Sequence, residues 1–514
     1  MLEVDLRTGG AAPRTTPTSF LERARSRASG ARDAWPLFAL IGLAAANFGW
    51  QLGSSSYFVD EVLSLQVATE PLGGVLHATA TSEVTPPLYF YLMHEWIGRI
   101  GTLAAWATRL PSALAGIAVV AAVWWLASLL SDRRAVAVVA AGLTALSPLA
   151  LQYAQMAQGY VFVMLTVTLA VAASLRAQQP GEHRGRWLAA GAVAAVLALW
   201  LHYTAGLAVI PLCIWVAKAN DLPARWRAAF IGACIVAEAT VVPMMIAQHN
   251  SFPDRSGVAG TAALTLTTAE RVFELPFDGR VDPLRLLGLA VTIAALVILA
   301  VKRGRLLRHW QLVGVLAVGP PLALFLLSAL QQQGFLGHLM LARYAIGSAP
   351  FVIIAIAAAV TSIELRAVSA VLGVAALTVA ITGVAMSHRR TGFYLDARGI
   401  AQYIHTREHR GDVSLATGSQ GELIPLGYYG VDYDPSSKAD GPSLVTTRSH
   451  RLWVIAQLPT NAVSTATLRR AMRLPGFTTT DVHIFPSLNP MGVVLEVPVA
   501  TRAATATTAK HART

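Results

Sequence analysis

Only two of the 514 residues are cysteine, Cys213 and Cys234, and both fall inside apolar runs. No disulfide framework or thiolate zinc site can be assembled from such a pair, so they read as small core residues. Charge is also scarce: 13% of the residues are Asp, Glu, Lys or Arg, and the 28 acids are outnumbered by 40 bases. There is no HExxH motif, and no Gly-rich phosphate loop follows a strand-like run, which removes the zincin and nucleotide-binding signatures. What the chain has in abundance is apolar sequence. Hydrophobic residues make up 54% and the mean hydropathy is +0.53, arranged in long runs separated by short basic loops. That composition defines an α-helical polytopic membrane protein whose solvent is the lipid bilayer. The net charge of +12 does not indicate nucleic acid, because the Lys and Arg residues gather in alternate loops, as the positive-inside rule requires.

With roughly 20 apolar residues needed per crossing, eleven candidate spans can be read: 35–52, 110–130, 135–150, 160–175, 187–201, 206–219, 228–247, 284–301, 312–330, 344–363 and 367–386. Arginines and lysines precede the first span and follow the second, fourth, sixth, eighth and tenth, all on one side. The odd span number and this bias place the N-terminus in the cytoplasm and the C-terminus outside a plasma membrane. Residues 1–33 lack apolar periodicity and read as a disordered cytoplasmic arm, and 34–388 as the membrane domain. Residues 389–500 carry β-rich runs at 451–456 and 492–497 and a helix-like stretch at 465–472, the pattern of a small extracytoplasmic α/β domain. Residues 501–514 read as a disordered tail.

The long first outer loop, 53–109, holds Asp60, Glu61 and Glu83, with amphipathic helical spacing at 61–68 and 87–100. Acids beside a helical bundle are costly to keep unless used. Arg109, Tyr153, His202, Tyr203, His338 and Arg343 lie at the same mouth, together with Gln152, Gln155, Gln158 and Tyr160. Arg343 opposes the charge bias, being an arginine at the outer end of a span. A carboxylate that takes a proton from an attacking hydroxyl, with cations that steady a departing phosphate, is the constellation needed for group transfer from a lipid phosphate. Asp60, Glu61 and Glu83 are therefore the catalytic candidates. Arg109, Arg343, His202, Tyr203 and His338 are candidates for the donor phosphate, and Tyr89 and Tyr153 for the acceptor. Each has a structural alternative: Asp60 and Glu61 suit a helix first turn, Pro86-Pro87 suits a helix start, and Arg109 suits an interfacial anchor.

The series Asp60-Glu61, then Glu83-Val84-Thr85-Pro86-Pro87-Leu88-Tyr89, then Arg109-Leu110-Pro111-Ser112 resembles the polyprenyl-phosphate-sugar-dependent glycosyltransferases of the GT-C fold, the group of protein O-mannosyltransferases and bacterial lipid A aminoarabinose transferases. The resemblance covers about residues 35 to 390. It implies Asp60 as catalytic base, Glu83 as the second acid ahead of the Pro-Pro pair, Glu61 as the acidic neighbour of the mannosyltransferase branch, and inversion at the anomeric carbon. His202-Tyr203 and Arg343-Tyr344 look like later signatures of bacterial members. Where relatives often read Tyr-x-Gln-Glu-Ala-Arg-x-Tyr, this chain reads Tyr153-Ala154-Gln155-Met156-Ala157-Gln158-Gly159-Tyr160, without either charge. Thr85 stands where some branches have His or Lys.

The expected partners are a polyprenyl-phosphate-linked sugar donor, a cell-envelope acceptor (glycan, glycolipid or protein) and the bilayer, with no nucleic acid. No metal site is assigned, although oxygen ligands at Asp60 and Glu83 beside a phosphate are compatible with magnesium or manganese. Two other classes stay open at this level, a secondary transporter and a non-enzymatic envelope assembly protein. A transporter, however, would place its charges at mid-membrane in repeated halves.

Overall fold

The computed structural model describes residues 20–251, 272–273, 275–277, 282–331, 341–389, 395–410, 412–417, 420–433, 451–458, 481–485 and 491–498. Among them are seventeen α-helices: α1 Phe20–Gly49, α2 Val59–Thr69, α3 Leu72–Ser82, α4 Leu88–Ile100, α5 Ala105–Leu130, α6 Arg134–Ala145, α7 Pro148–Ala154, α8 Tyr160–Gln178 and α9 Arg184–Leu201 come first. Then follow α10 Gly206–Ala217, α11 Ala224–Ser251, α12 Asp282–Lys302, α13 Trp310–Gln331, α14 Ala349–Val360, α15 Arg366–Arg389, α16 Ala397–His405 and α17 Gln420–Tyr428.

Each of the eleven apolar segments is largely helical, the third being divided between α6 and α7 and the tenth starting in the 3-10 turn Ala342–Ser348. By length and composition eight are full membrane crossings, and α6 with α7 forms a ninth that is bent by 53°. The apolar parts of α1 (Trp35–Gly49) and of α10 with the 3-10 turn before it are shorter. The bend has a local cause. Pro148 has no N–H to continue α6, and the Ser147 hydroxyl accepts the Ala150 N–H, starting α7 afresh. The expected arm is corrected in part, because α1 already begins at Phe20; residues 1–19 lie outside the described residues.

Hydrogen bonds between loops show which helix ends lie together. Arg133 donates to the carbonyls of Leu306 and Thr361, Arg308 pairs with Asp132, Lys302 with Glu364, and Arg184 with Asp221. The basic loops predicted to share one side do share one end of the bundle. At the opposite end lie the C-termini of α1, α9 and α11, the N-termini of α5 and α8, and the whole loop containing α2, α3 and α4. Two of those loop helices match the expected amphipathic stretches. The third, α3, lies between the two expected stretches; Pro71 precedes its first turn, and Gly73-Gly74 are inside the helix.

The C-terminal part is α/β, as expected. Strands β1 Val413–Thr417, β2 Arg451–Leu458, β3 Asp481–Phe485 and β4 Met491–Pro498 form one sheet in the order β1-β2-β4-β3, with β1 parallel to β2 and the other pairs antiparallel. Ala397, Ile400, Ala401 and Ile404, at the i, i+3, i+4, i+7 spacing of one helix face, cover Trp453 and Ile455, two residues apart on β2. The helix expected at 465–472 lies outside the described residues, as does the tail from 501.

Candidate active site

Asp60 and Glu61 occupy the first turn of α2, where the exposed N–H groups favour negative charge. Adjacent helical positions point about 100° apart, and the two carboxylates part company accordingly. Glu61 turns inward. Its Oε1 accepts from Arg109 Nε at 2.8 Å and the Ala157 N–H at 2.8 Å, and its Oε2 accepts from Arg109 Nη2 at 2.9 Å and the Phe58 N–H at 3.0 Å. Arg109 spends its remaining donors on the carbonyls of Leu52, Ser55 and Ser56 and on the Ser55 hydroxyl. Side-chain exposure of the pair is 1% and 2%. Arg109 is thus no free phosphate clamp and Glu61 no free base, contrary to the sequence expectation: each is saturated by the other and by backbone. Sequence shows a cation at the mouth but not which acid neutralises it.

Asp60 turns to the opening. Its Oδ2 accepts from Arg343 Nη1 at 2.7 Å, with side-chain exposures of 27% and 15%. The guanidinium lies 5.6 Å from the ring centres of both Tyr160 and Tyr344, and its Nε is buried with no hydrogen-bond partner. The His202 ring sits between the same tyrosines, 5.3 Å from Tyr160 and 5.4 Å from Tyr344. Its Nδ1 accepts the Thr204 N–H, which puts the proton of the neutral ring on Nε2, and that nitrogen too is buried without a partner. Burial, reinforced by the Arg343 charge, pushes the His202 pKa down to about 3, so the ring is neutral at physiological pH.

Glu83 is buried at the C-terminal end of α3, with the Ser64 hydroxyl 3.5 Å from Oε1. Burial and, after it, the Asp60 charge raise its pKa to about 8, so it holds its proton at neutral pH. Gln158 donates from Nε2 to the Asp60 carbonyl at 2.5 Å and to the Ser64 hydroxyl at 2.9 Å. A neutral amide thereby ties the backbone of Asp60 to the neighbourhood of Glu83. The stretch around Glu83 is fixed from α11: Gln248 Nε2 donates to the carbonyls of Thr79 and Thr85, and its Oε1 accepts from the Tyr203 hydroxyl at 2.9 Å.

Tyr203 consequently holds Gln248 rather than a phosphate. Tyr89 and Tyr153, expected at the acceptor, are buried in the bundle, Tyr89 against Phe90 and Phe162 and Tyr153 against Tyr160. Neither offers a face for sugar stacking. His338 lies outside the described residues. Sequence reasoning missed Ser64 and Gln248; the amide near the end of an otherwise apolar span is the signal for the latter. A small cavity of about 40 Å³ borders the Glu61–Arg109 pair and is lined further by Gln152, Gln155 and His388, but not by Asp60 or Arg343. Of the two oxygen ligands considered for magnesium or manganese, Asp60 faces the Arg343 guanidinium and Glu83 is buried near Ser64. Among the described residues no group of three or more His, Cys, Asp or Glu converges.

A family model described as dolichyl-phosphate-mannose-protein mannosyltransferase matches residues 84–246, which run from just after Glu83 into α11. Among solved structures, ArnT from Cupriavidus metallidurans bound to undecaprenyl phosphate superposes with a TM-score of 0.51 at 13% identity, over 90% of this chain and 98% of that one. The fold is GT-C. The oligosaccharyltransferase AglB from Archaeoglobus fulgidus, in complex with an inhibitory peptide and a dolichol-phosphate, is more distant: TM-score 0.47, 11% identity, 85% of this chain and 70% of that one. No curated protein matches. This multi-pass GT-C chain is thus similar, over residues 84–246, to the mannosyltransferases that the family model describes.

Proposed function

We propose that the protein transfers one sugar from a polyprenyl phosphate to a hydroxyl of a cell-envelope acceptor on the outer face of the membrane, with Asp60 as general base. The observation that carries this reading is the half-open Asp60–Arg343 pair flanked by two buried, unpartnered nitrogens, Arg343 Nε and His202 Nε2. A carboxylate next to unused donors in a water-poor setting suits a reaction that makes an alkoxide-like nucleophile and a phosphate anion together. The comparison structures were captured with undecaprenyl phosphate and with dolichol-phosphate, the same class of carrier.

In this reading the donor phosphate takes hydrogen bonds from Arg343 and from the His202 Nε2–H, and drawing Arg343 away frees the Asp60 carboxylate. The acceptor oxygen attacks the anomeric carbon and gives its proton to Asp60. The bond between that carbon and the phosphate oxygen breaks, and its electron pair leaves on the lipid phosphate. Protonated Glu83 keeps a second negative charge out of the site while the phosphate develops its own. The clustering of Lys and Arg at the other end of the bundle supports an outward-facing site, with the N-terminus in the cytoplasm and the C-terminal domain outside.

The test is to incubate purified protein with radiolabelled polyprenyl-phosphate pentoses and hexoses and envelope extract. Asp60→Asn is expected to lower transfer by roughly 10²- to 10⁴-fold, the usual worth of a positioned base, while leaving thermal unfolding in detergent unchanged. Wild-type turnover by that variant removes Asp60 as the base, and no labelled product with any donor removes the reaction.

A further inference from the structure

The polypeptide that delivers Asp60 to the site is held from two sides. Between the end of α1 and the start of α2, the carbonyls of Leu52, Ser55 and Ser56 accept from Arg109 within the bundle. Inside the bundle the Phe58 N–H is taken by Glu61 and the Tyr57 hydroxyl by Leu103 and Thr108, and several of the other groups are taken by the C-terminal domain. Arg398 donates through its guanidinium to the carbonyls of Gly53 and Ser54, and through its backbone N–H to the Ser56 hydroxyl at 2.9 Å. The Ser56 hydroxyl donates in turn to Asp396 Oδ1 at 2.6 Å, and that same oxygen caps α16 by accepting the Gly399 N–H at 3.0 Å. The Tyr57 N–H donates to the Tyr429 hydroxyl at 2.9 Å, and the Tyr57 ring stacks on Tyr429 and meets Tyr428 edge-on.

These contacts join residues more than 300 positions apart. They act on a stretch with no secondary structure of its own, and Asp60 follows Tyr57 by three residues. A strap whose polar groups are divided between two bodies is positioned by both. We infer that the C-terminal domain is part of the catalytic apparatus: through Arg398, Asp396 and Tyr429 it fixes strap 53–58, and so the place of Asp60 opposite Arg343. These three are positioning residues, since none of them touches Asp60. The inference rests on the reading of Asp60 as the base.

Two mild variants of the full chain test it, Tyr429→Phe and Arg398→Lys, alongside the stronger Arg398→Ala, each measured for kcat, for KM toward the lipid-linked donor, and for amide hydrogen exchange over residues 52–62. For Arg398→Ala kcat is expected to fall about tenfold or more, because small displacements of a catalytic group are costly, with KM changed less than about twofold. Exchange in 52–62 is expected to rise while the α8 and α14 amides keep their protection. Arg398→Lys should recover part of the rate, and Tyr429→Phe should show a smaller loss of the same kind. Faster exchange in the strap with unchanged kcat overturns the positioning role, and so do unchanged exchange and unchanged kcat together. General loss of protection throughout the bundle in Arg398→Ala and in both mild variants also overturns it, by making the contacts merely structural. An active Asp60→Asn enzyme, by contrast, brings down the base assignment while leaving the exchange result for the strap as measured.

Discussion

Two arginine–carboxylate pairs stand side by side at the mouth of the bundle and differ in everything but their chemistry. Glu61–Arg109 is closed: exposures are 1% and 2%, two parallel bonds join the charges, and backbone fills what is left. Asp60–Arg343 is open: one bond joins the charges, the acid is 27% exposed, and the guanidinium keeps a buried N–H unused. A pair saturated on every side can hold a fold but cannot exchange partners. A pair with one bond and one spare donor can release its acid to a substrate at small cost. The neighbouring acids thus meet opposite environments, one closed and one half-open, because consecutive positions on a helix face different surroundings.

Breaking the closed pair is the largest perturbation available. Arg109→Ala leaves Glu61 buried and uncompensated, and about 3–5 kcal/mol of stability should be lost, read as a collapse of the thermal transition in detergent or as failure to express. An Arg109→Ala protein that melts like wild type refutes the contrast at its root. The open pair should respond in the other currency. Arg343→Lys keeps the charge but loses the planar fork, and transfer is expected to fall roughly 10- to 100-fold, given the loss of bidentate geometry, with the melting transition little changed.

The pH profile sharpens the comparison further. Because Glu83 ionises at about 8, against an ordinary value of 4.5, its carboxylate appears beside Asp60 only in alkaline solution. Transfer should therefore decline above about pH 8, and the alkaline limb should flatten in Glu83→Gln. The linkage has a definite sign: the folded state binds this proton more tightly than the unfolded one. Its contribution to stability is fully present below pH 4.5, is lost progressively up to about pH 8, and is constant beyond. An alkaline limb unaltered in Glu83→Gln assigns it to another group. The smallest effect is expected for Gln158→Ala, which removes hydrogen bonds to the Asp60 carbonyl and Ser64 worth about 1 kcal/mol. A loss of transfer of about fivefold, measured at saturating donor, would match that figure.

How much of this was legible beforehand follows from what each signal reports. Hydropathy reports lipid contact, so all eleven apolar segments could be placed, even though the Ser147-Pro148 break divides one of them. Charge bias reports sidedness, and the Arg133, Arg184 and Arg308 loops do gather at one end. Arg343 could be singled out because it violates that bias. Pairing is different. Nothing in the series Asp60-Glu61 says that the second acid belongs to Arg109 and the first to Arg343, for that is decided by a 100° turn and by residues 48 and 283 positions away. For the same reason the buried tyrosines Tyr89 and Tyr153 read like mouth residues, since an aromatic in a loop carries no mark of the face it presents. The strands β1 and β3, five residues each, are too short to show a period.

Helix α11 has only 22% of its apolar window covered by protein, against 78% for α8, yet its tip at Gln248 grips the chain on either side of Glu83. One side of that helix packs on α9, α10 and α3, and its outer side is left apolar, so the stretch around Glu83 is tied to a helix with a broad lipid-compatible face. A change of its tilt with bilayer thickness would be felt through Gln248 at the stretch around Glu83, and turnover in vesicles of different chain length would read it out.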